Sequence, residues 1–211
     1  MRSRRRSAAT RAALCGAFAL AAAAATAGAA AGTPIVVAAG GRSFAAVVED
    51  SETGRAFLAM LPLTLDMAEL NGNEKYRYGV SLPAAAQHCD TIAAGDLMLY
   101  GSNCLVLFYG PAGGYSYTRV GRLLSTDGLA AALGSGTATV TFEKARLEIG
   151  CRPDGTAPVF TADTNLPAGT PVTVQGSAGI ADGAADWHDV DPADPGLLDR
   201  YAFFRLKASL H

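Results

Sequence analysis

The sequence predicts a mainly β protein, in which a closed β-barrel with two short capping helices spans residues 33–143 and a small β-rich extension spans residues 144–211. Three observations predict this class. Short runs with strand-like alternation recur along the chain, only two short segments have helical spacing, and glycines are frequent between the runs. These features favour a barrel over a layered fold of alternating helices and strands.

Residues 1–32 are predicted to be an export signal rather than part of the fold. Five arginines lie within Arg2–Arg11, an alanine-rich apolar run spans Ala12–Ala25, and Ala29–Ala31 offers small residues for cleavage. The apolar run is shorter and less apolar than the roughly 20 residues of a membrane-spanning helix. We therefore expect a secreted protein with no membrane anchor, exported by the Sec or the Tat route.

The charge of the mature chain argues against nucleic acid as a partner. Residues 1–32 contain five of the 17 basic residues and none of the 19 acidic ones, so the remaining chain is acidic. Proteins that bind nucleic acid cluster Lys and Arg, and no such cluster follows the signal segment.

The barrel is predicted to begin with a hairpin and a short helix. Ile35–Ala39 and Ser43–Val48 are β-prone, and the Gly40-Gly41 pair between them is a turn signal. Asp50 or Ser51 is then expected to cap a helix that ends at the next proline.

A strand-like run, Leu63–Met67, leads into a predicted polar turn, Asn71–Lys75. The turn concentrates amide, carboxylate and amine groups beside a core strand, and loops held by a rigid scaffold often carry binding groups. We therefore take Asn71, Asn73 and Glu74 as candidate binding residues. Asn-Gly is also an ordinary turn signal, because both residues tolerate positive φ, so a purely structural interpretation stays open.

Residues 77–94 are expected to form a loop longer than most connections. Its His88 has no recognisable catalytic partner. The runs Asp96–Tyr100 and Cys104–Tyr109 then predict a hairpin around Gly101–Asn103. Both faces of this hairpin are apolar, which indicates a closed barrel or a covered sheet.

The next strand, Tyr115–Val120, alternates so that Tyr115, Tyr117 and Arg119 share one face. If that face is the concave side of the barrel, two phenols and a guanidinium form a binding surface. If it is the solvent side, the three form an ordinary exposed β face, and both interpretations stay open.

Asp127 is expected to cap a second helix, Gly128–Leu133, which Gly134 ends, and the alternating strand Ala138–Phe142 follows. The extension is predicted to contain four short strands, at Lys144–Ile149, Val159–Thr161, Pro171–Gln175 and Tyr201–Lys207.

Three cysteines remain after signal cleavage. Cys104 opens an apolar strand and is expected to be a small buried hydrophobe. Cys89 and Cys151 lie in loop-like contexts, and in an oxidising compartment they form the candidate disulfide, although a sequence alone does not fix connectivity.

No metal, cofactor or catalytic set is predicted from the residues. The acidic segment near the C-terminus fails the EF-hand pattern, because Asp194 stands where the loop needs glycine and Arg200 where it needs glutamate. No Cys or His pair has zinc-chelating spacing, and neither glycine-rich nucleotide motif occurs. Ser116 lacks the second glycine of a nucleophile elbow.

Six motifs occur in order within the stretch Thr33–Glu143: LPLTLDMAELNGNEKY, GDLMLYG, CLVLFY, YSYTRVGR, GLAAALG and VTFE. Together they resemble the bacterial cyclophilin-like proteins of uncharacterised function. The resemblance implies a closed β-barrel capped by two helices, the architecture of peptidyl-prolyl isomerases. It does not imply their activity, because the Phe-His-Arg and Gly-Ser-Gln-Phe-Phe strings of the classical proline pocket are absent.

Two hypotheses of function follow. The first is a non-catalytic exported module that binds a peptide or a small molecule in a groove on the barrel. The alternative is a divergent peptidyl-prolyl isomerase, in which Arg119 or Arg122 places a cation near the twisting carbonyl, against a barrier of about 18–20 kcal/mol, and Phe108 forms an apolar wall. The candidate binding residues are Asn71, Asn73, Glu74, Phe108, Tyr115, Tyr117 and Arg119, of which Arg119 is also the candidate catalytic residue.

Overall fold

The computed structural model describes residues 32–154, 157–177, 180–181, 184–185, 187–194, 200 and 203–209, with the backbone alone at 149–154, 157–162, 180–181, 184–185 and 203. The predicted export signal lies outside the described residues except for Gly32, which begins the first strand. In chain order the described elements are β1 Gly32–Ala39, β2 Arg42–Glu49, α1 Glu52–Ala59, β3 Leu63–Leu70, β4 Glu74–Tyr78, β5 Gln87–Cys89, β6 Asp96–Tyr100, β7 Cys104–Phe108, β8 Tyr115–Leu123, α2 Leu129–Leu133, β9 Ala138–Lys144, β10 Leu147–Asp154, β11 Ala157–Thr164, β12 Val172–Ser177, β13 Ile180–Ala181, β14 Ala184–Ala185, β15 His188–Asp189 and β16 Phe203–Ala208.

Eight strands close into a barrel in the order β2-β1-β9-β3-β4-β7-β6-β8, and the pairing of β2 with β8 completes the ring. Neighbouring strands in this ring are antiparallel. The first part of β8 pairs instead with the short strand β5, which lies outside the ring. The predictions of a mainly β protein, a closed barrel, two helices and further strands beyond the barrel are confirmed.

The barrel interior is filled by alternating apolar side chains, as a closed sheet requires. Val37, Val48 and Phe142 are fully buried there. Helix α1 covers one end, where Phe57 packs edge-on against Phe142 with ring centroids 5.5 Å apart. Burial of these aromatic rings anchors the helix to the core.

Of the two residues predicted to cap helix α1, Asp50 and Ser51, the structure has Ser51. Ser51 is the N-cap residue, and its hydroxyl accepts a hydrogen bond from the Gly54 N–H at 3.0 Å. Asp50 instead forms an exposed ion pair with Arg55 at 2.7 Å.

The predicted start of the second helix is wrong. Helix α2 begins at Leu129, and its N-cap residue is Gly128, which adopts a left-handed φ of 77° and makes no side-chain capping bond. Asp127 therefore does not cap the helix, and its backbone oxygen accepts a hydrogen bond from Arg42. Gly134 ends the helix as predicted, with φ 60°.

The turn between β3 and β4 is shorter than predicted. Asn71 and Gly72 have positive φ values of 56° and 72°, and the ladder already begins at the Leu70–Glu74 pair. Glu74 and Lys75 are buried strand residues, so the prediction that they belong to the polar turn is wrong.

The predicted long loop at residues 77–94 is also wrong in part, since β4 reaches Tyr78 and β5 lies within the segment. Val80 and Leu82 are buried in the barrel core. Their N–H groups donate to the backbone oxygens of Asn103 and Ser102 at 3.1 and 3.0 Å, so the first part of this segment is tied to the β6–β7 turn.

The chain folds into two compact units. One contains the barrel and, among the described residues, covers 32–147, 164–173 and 207–209. The other is built from segments within 148–163 and 174–206. The described sheets outside the barrel are β10 with β11, β12 between β15 and β16, and β13 with β14.

The predicted strand Lys144–Ile149 is wrong, because β9 ends at Lys144 and β10 begins at Leu147. Asn165 replaces the ladder at this break. Its amide nitrogen donates to the Lys144 oxygen at 2.9 Å, and its amide oxygen accepts from the Arg146 N–H at 2.7 Å. No described helix is long and apolar enough to cross a membrane.

Candidate ligand-binding site

Four neighbouring barrel strands, β4, β7, β6 and β8, place a set of side chains on the outside of the barrel, which we call the outer face. Cross-strand pairs lie on the same side of a sheet, so the register defines its members. Glu74 pairs with Phe108, Tyr78 with Cys104, and Met98 with both Val106 and Arg119. The outer face thus comprises Glu74, Tyr76, Tyr78, Met98, Tyr100, Cys104, Val106, Phe108, Tyr115, Tyr117 and Arg119.

A second apolar cluster forms on this outer face, apart from the barrel core. Its buried members include Met98, Phe108 and Tyr117. Ile92 and Ala112, from the loops that flank β6 and β7, exchange two backbone hydrogen bonds of 2.8 and 3.0 Å and pack against the cluster. These loops therefore cover one part of the outer face.

Tyr117 lies at the centre of the cluster. Its ring is edge-on to Phe108, with centroids 5.6 Å apart, and tilted against Tyr100 at 5.5 Å. Burial, together with the nearby negative charge of Glu74, raises the pKa of Tyr117 to about 12. The phenol is therefore neutral at physiological pH and available as a hydrogen-bonding group.

Glu74 is a buried carboxylate, 6% exposed, that faces this aromatic cluster. Burial raises the pKa of Glu74, and the negative charge of Glu69 raises it further. Within the described part of the chain, no group donates a hydrogen bond to its carboxylate and no cation pairs with it. A buried carboxyl group with a raised pKa is a functional-site candidate.

A groove of about 410 Å³ borders the outer face between the start of α1, the segment around β5 and strand β8. Its wall is fixed by hydrogen bonds from the Thr53 hydroxyl to the Pro83 oxygen at 2.7 Å and from the Ala85 N–H to the Thr118 hydroxyl at 2.9 Å. The lining residues are Glu49, Ser51, Glu52, Thr53, Pro83, Ala84, Ala85, Gln87, His88, Cys89, Asp90, Thr91, Tyr117, Thr118 and Arg119.

Arg119 supplies a guanidinium to this groove. Its side chain is about half exposed, and its Nη1 lies 3.7 Å from Asp96 Oδ2, beyond hydrogen-bond length. His88 and Asp90 at the other side of the groove form an exposed pair, with Nε2 and Oδ1 3.3 Å apart. The guanidinium therefore keeps donor capacity for a ligand.

Of the seven predicted binding residues, five lie together on the outer face and two lie elsewhere. Tyr117 and Arg119 line the groove, Glu74 and Phe108 lie behind Tyr117 in the outer-face cluster, and Tyr115 is exposed on the same face. The face they share is the outside of the barrel and not its concave interior, as the burial pattern of β8 and the register with Met98 show.

Asn71 and Asn73 do not join the other five residues. Asn71 is exposed in the β3–β4 turn, while the Asn73 amide nitrogen donates to the Pro111 oxygen at 2.9 Å. The backbone oxygen of Asn73 accepts from Tyr109 N–H and Gly110 N–H at 2.9 and 3.0 Å. Asn73 thus braces the loop after β7.

Sequence reasoning missed Tyr76, Tyr78 and Tyr100, which complete the aromatic part of the outer face. Tyr76 and Tyr78 are two residues apart, and their rings are edge-on with centroids 5.8 Å apart. The two-residue spacing of these tyrosines is typical of one face of a strand. The strand was not predicted, because residues 71–75 were assigned to a turn and residues 77–94 to a loop.

It also missed a buried lysine. Lys75 is fully buried, and its Nζ donates to Glu69 Oε2 at 2.5 Å and to the backbone oxygens of Gly134 and Gly136 at 2.8 and 2.5 Å. The Tyr109 hydroxyl donates to Glu69 Oε1 at 2.7 Å. With every donor satisfied, this network is structural rather than a binding site.

The pKa values in the network follow from these contacts. Burial acts to raise the pKa of Glu69, but the hydrogen bonds from Lys75 and Tyr109 and the lysine charge outweigh it and lower that pKa. Burial and the hydrogen bond to Glu69 raise the pKa of Tyr109 to about 12.

A larger cavity, of about 600 Å³, lies between the β1–β2 turn region and residues 167–171 of the same compact unit. It contains none of the predicted binding residues. Its one arginine, Arg42, already donates to the Asp127 oxygen at 3.1 Å and lies 5.9 Å from the centroid of the Phe44 ring. We therefore place the candidate site at the groove beside the outer face.

Cys104 is buried in β7, as predicted, and burial raises the pKa of its thiol. Cys89 is a free, buried thiol in the structure, whereas the side chain of Cys151 lies outside the described residues. A bridge between Cys89 and Cys151 stays a prediction. Among the described residues, no three His, Cys, Asp or Glu side chains are grouped so that they could hold a metal ion.

Comparison with known proteins identifies the barrel. Residues 37–143, which are just over half of the chain and run from within β1 to within β9, match the cyclophilin-like family. Neither the curated proteins nor the solved structures give a match. The eight-stranded barrel with its two helices and the extent of this match lead to one conclusion: the chain belongs to the cyclophilin-like family.

Proposed function

We propose that the protein is an exported, non-catalytic binding module that holds a peptide or a small molecule in the groove beside the outer face. The observation that carries this proposal is the meeting of Tyr117 and Arg119 in one groove of about 410 Å³. Ligand sites typically have volumes of about 300–1,000 Å³ and combine apolar walls with a few polar groups. Export is supported by the composition of residues 1–32.

The chemistry of the lining suits an extended peptide. Pro83, Ala84 and Ala85 offer a small apolar wall, and the Arg119 guanidinium is positioned to donate to a carbonyl oxygen. Thr118 is occupied by the Ala85 N–H, so specificity would depend on the arginine and the Tyr117 hydroxyl.

The test is an NMR titration of the ¹⁵N-labelled full chain with capped, uncharged tetrapeptides. We expect shifts in the amides of Ala84, Ala85 and Thr118, and a weakening of about tenfold in the Arg119→Ala variant, the usual effect of losing one charged hydrogen bond. Arg122→Ala is the matched control, because Arg122 lies on the same strand and is exposed but does not line the groove. Shifts that Arg119→Ala leaves unchanged, or no shifts at all, would refute the proposal.

The exposed guanidinium of Arg119 also supports a second candidate, a divergent peptidyl-prolyl isomerase. The position of Phe108 argues against an isomerase. Its ring is fully buried and does not line the groove, so Phe108 does not form the apolar wall that an isomerase would need. A protease-coupled isomerisation assay on a proline peptide decides the matter. Acceleration that is lost in Arg119→Ala would establish an isomerase, and no acceleration by the folded protein would exclude one for such peptides.

A further inference from the structure

Exposed aromatic surface is concentrated on the outer face. Five large apolar residues are exposed in the described part of the chain, and three of them, Tyr78, Tyr100 and Tyr115, belong to the outer face. A fourth, Leu70, pairs with Glu74 and so lies beside it on the same side of the sheet. Single exposed apolar side chains are normal, but a contiguous group of them marks a contact surface.

The rings in this group stand at angles to one another instead of stacking flat. Tyr76 and Tyr78 have an interplanar angle of 79°, and Tyr100 and Tyr117 one of 54°. Each pair includes one well-exposed ring, Tyr78 at 57% and Tyr100 at 46%. The face of an aromatic ring carries partial negative charge and attracts cations.

Glu74 adds a formal negative charge that the protein leaves unbalanced. The nearest cations in the sequence and on the face do not pair with Glu74: Lys75 donates to Glu69 and two carbonyl groups, and the Arg119 guanidinium lies nearest to Asp96, at 3.7 Å. Arg77 lies on the opposite side of β4 by alternation, and its Nη1 donates to the backbone oxygen of Asp66 at 3.5 Å. A carboxylate that is buried without a cation is costly, which is a reason to look for a cation from outside.

We propose that the outer face binds the cationic group of a ligand, an alkylammonium or guanidinium such as a lysine or arginine side chain, over the tyrosine rings and against Glu74. The combination of ring faces with one carboxylate is complementary to such a group in shape and in charge. The net negative charge of the chain after residue 32 favours the approach of cations as well.

This site does not depend on the proposed peptide groove. The two share Tyr117 and Arg119, but the groove is tested with uncharged peptides and the outer face with single cationic residues. Failure of either experiment therefore leaves the other proposal standing.

The experiment compares two probes by calorimetry and by NMR of the full chain: Nα-acetyl-lysine amide, which keeps its charged ε-ammonium group, and Nα-acetyl-norleucine amide, which has the same four-carbon chain without that group. We expect the lysine probe to bind at least about tenfold more tightly, with shifts in the ring signals of Tyr78, Tyr100 and Tyr117. Glu74→Gln should abolish most of the difference between the probes. Asp50→Asn, which removes an exposed carboxylate outside the outer face, should not change it.

A second pair of variants tests the face without changing Glu74, in case Glu74→Gln fails to fold. Tyr100→Leu removes an exposed ring from the face, and Met60→Ala removes an exposed apolar side chain from the end of α1. We expect only Tyr100→Leu to weaken the lysine probe, by about threefold or more.

Two results would overturn the proposal. Equal affinity for the two probes, or no binding of the lysine probe, would show that the face does not select a cation. Concentration-dependent dimerisation that buries Tyr78 and Tyr100, with no effect of the lysine probe, would assign the face to a second copy of this chain.

Discussion

Lys75 is buried without exposure, and three acceptors receive its three ammonium protons. Two of these are the backbone oxygens of Gly134 and Gly136, so the side chain joins β4 to the segment between α2 and β9. The third, Glu69, is itself held by Tyr109 and by the Gly72 N–H at 2.9 Å. One residue thus connects two distant parts of the barrel.

Lys75→Met should destabilise the protein by about 2–4 kcal/mol, because it leaves the two carbonyl groups and the Glu69 carboxylate without their donor. Urea unfolding followed by near-UV circular dichroism of the tyrosines measures this, since six of the seven tyrosines lie in the barrel unit. Lys144→Met, at an exposed position of β9, is the control and should change stability by less than about 0.5 kcal/mol. A loss no larger than in the control would contradict the structural role.

Glu74 has the opposite energetic character, because its charged form is buried without a partner. Its pKa is raised above the ordinary value of 4.5, so Glu74 loses its proton less readily in the folded state than in the unfolded state. The raised pKa means that protonated Glu74 favours the folded state. This contribution to the free energy of unfolding is fully present below the ordinary pKa and is lost as the pH rises through the raised pKa of the folded state. Glu69, Cys104 and Tyr117 are the titratable neighbours that sense or set this charge.

Glu74→Gln should therefore increase the free energy of unfolding by about 1 kcal/mol at about pH 7.5, and the gain should vanish near about pH 4. Urea titrations of the wild type and the variant at the two pH values check this. Asp50→Asn, at an exposed site, should show no such pH dependence. A variant that is less stable than the wild type at the higher pH would contradict the assignment.

The positions of Glu74 and Lys75 were not accessible from the sequence for a physical reason. Adjacent charged residues after Asn-Gly are typical of an exposed turn. Lys75 can be buried because two backbone carbonyl groups, 59 and 61 residues further along the chain, accept hydrogen bonds from its ammonium group. Tyr117 and Arg119, in contrast, were correctly placed on one face, because alternation within a strand is a local property.

At the scale of single elements, local chemistry decided most of what was predicted correctly. The Gly40-Gly41 pair joins β1 to β2 with φ values of 54° and 74°, as the predicted hairpin requires. The exceptions have partners distant in sequence. Asn165 separates β9 from β10, and no pattern around residue 145 indicates an amide supplied from 19 to 22 residues away.

The start of α1 offers a direct test of one local interaction. Ser51→Ala should cost about 1 kcal/mol, because the Gly54 N–H loses the hydroxyl that accepts its hydrogen bond. Asp50→Ala, the other residue that the sequence offered as a cap, removes only an exposed ion pair and should cost less than about 0.5 kcal/mol. Urea unfolding distinguishes them, and equal losses would contradict the assignment of Ser51 as the cap.

At the scale of the whole molecule, the barrel depends on a pairing that no local pattern reveals. Strands β2 and β8 meet over three residue pairs, from Ala46–Leu123 to Val48–Gly121. The sequence predicted the strands, and the family resemblance implied the closure. The outer face could not be derived in the same way, because it exists only when β4, β7, β6 and β8 are neighbours.

Gly121 sits at the closing seam, where a Cβ atom would lie 2.4 Å from the Val47 backbone oxygen and 3.0 Å from the Val48 Cα. Both contacts are with backbone, so no side chain can move aside, and Gly121→Ala must push β2 and β8 apart. We expect a loss of about 3 kcal/mol. Gly136→Ala, where a Cβ would meet nothing within 4 Å, is the matched control and should be close to neutral.

Closure of the barrel is a cooperative property, so the damage in Gly121→Ala should not stay at the seam. Urea unfolding should show a lower midpoint with an unchanged slope, and hydrogen exchange should accelerate in β9 and β3 as well as in β2 and β8. If faster exchange were confined to β2 and β8 while β3 and β9 kept their protection, the seam would be a local contact. The ring of eight strands would then not unfold as one unit.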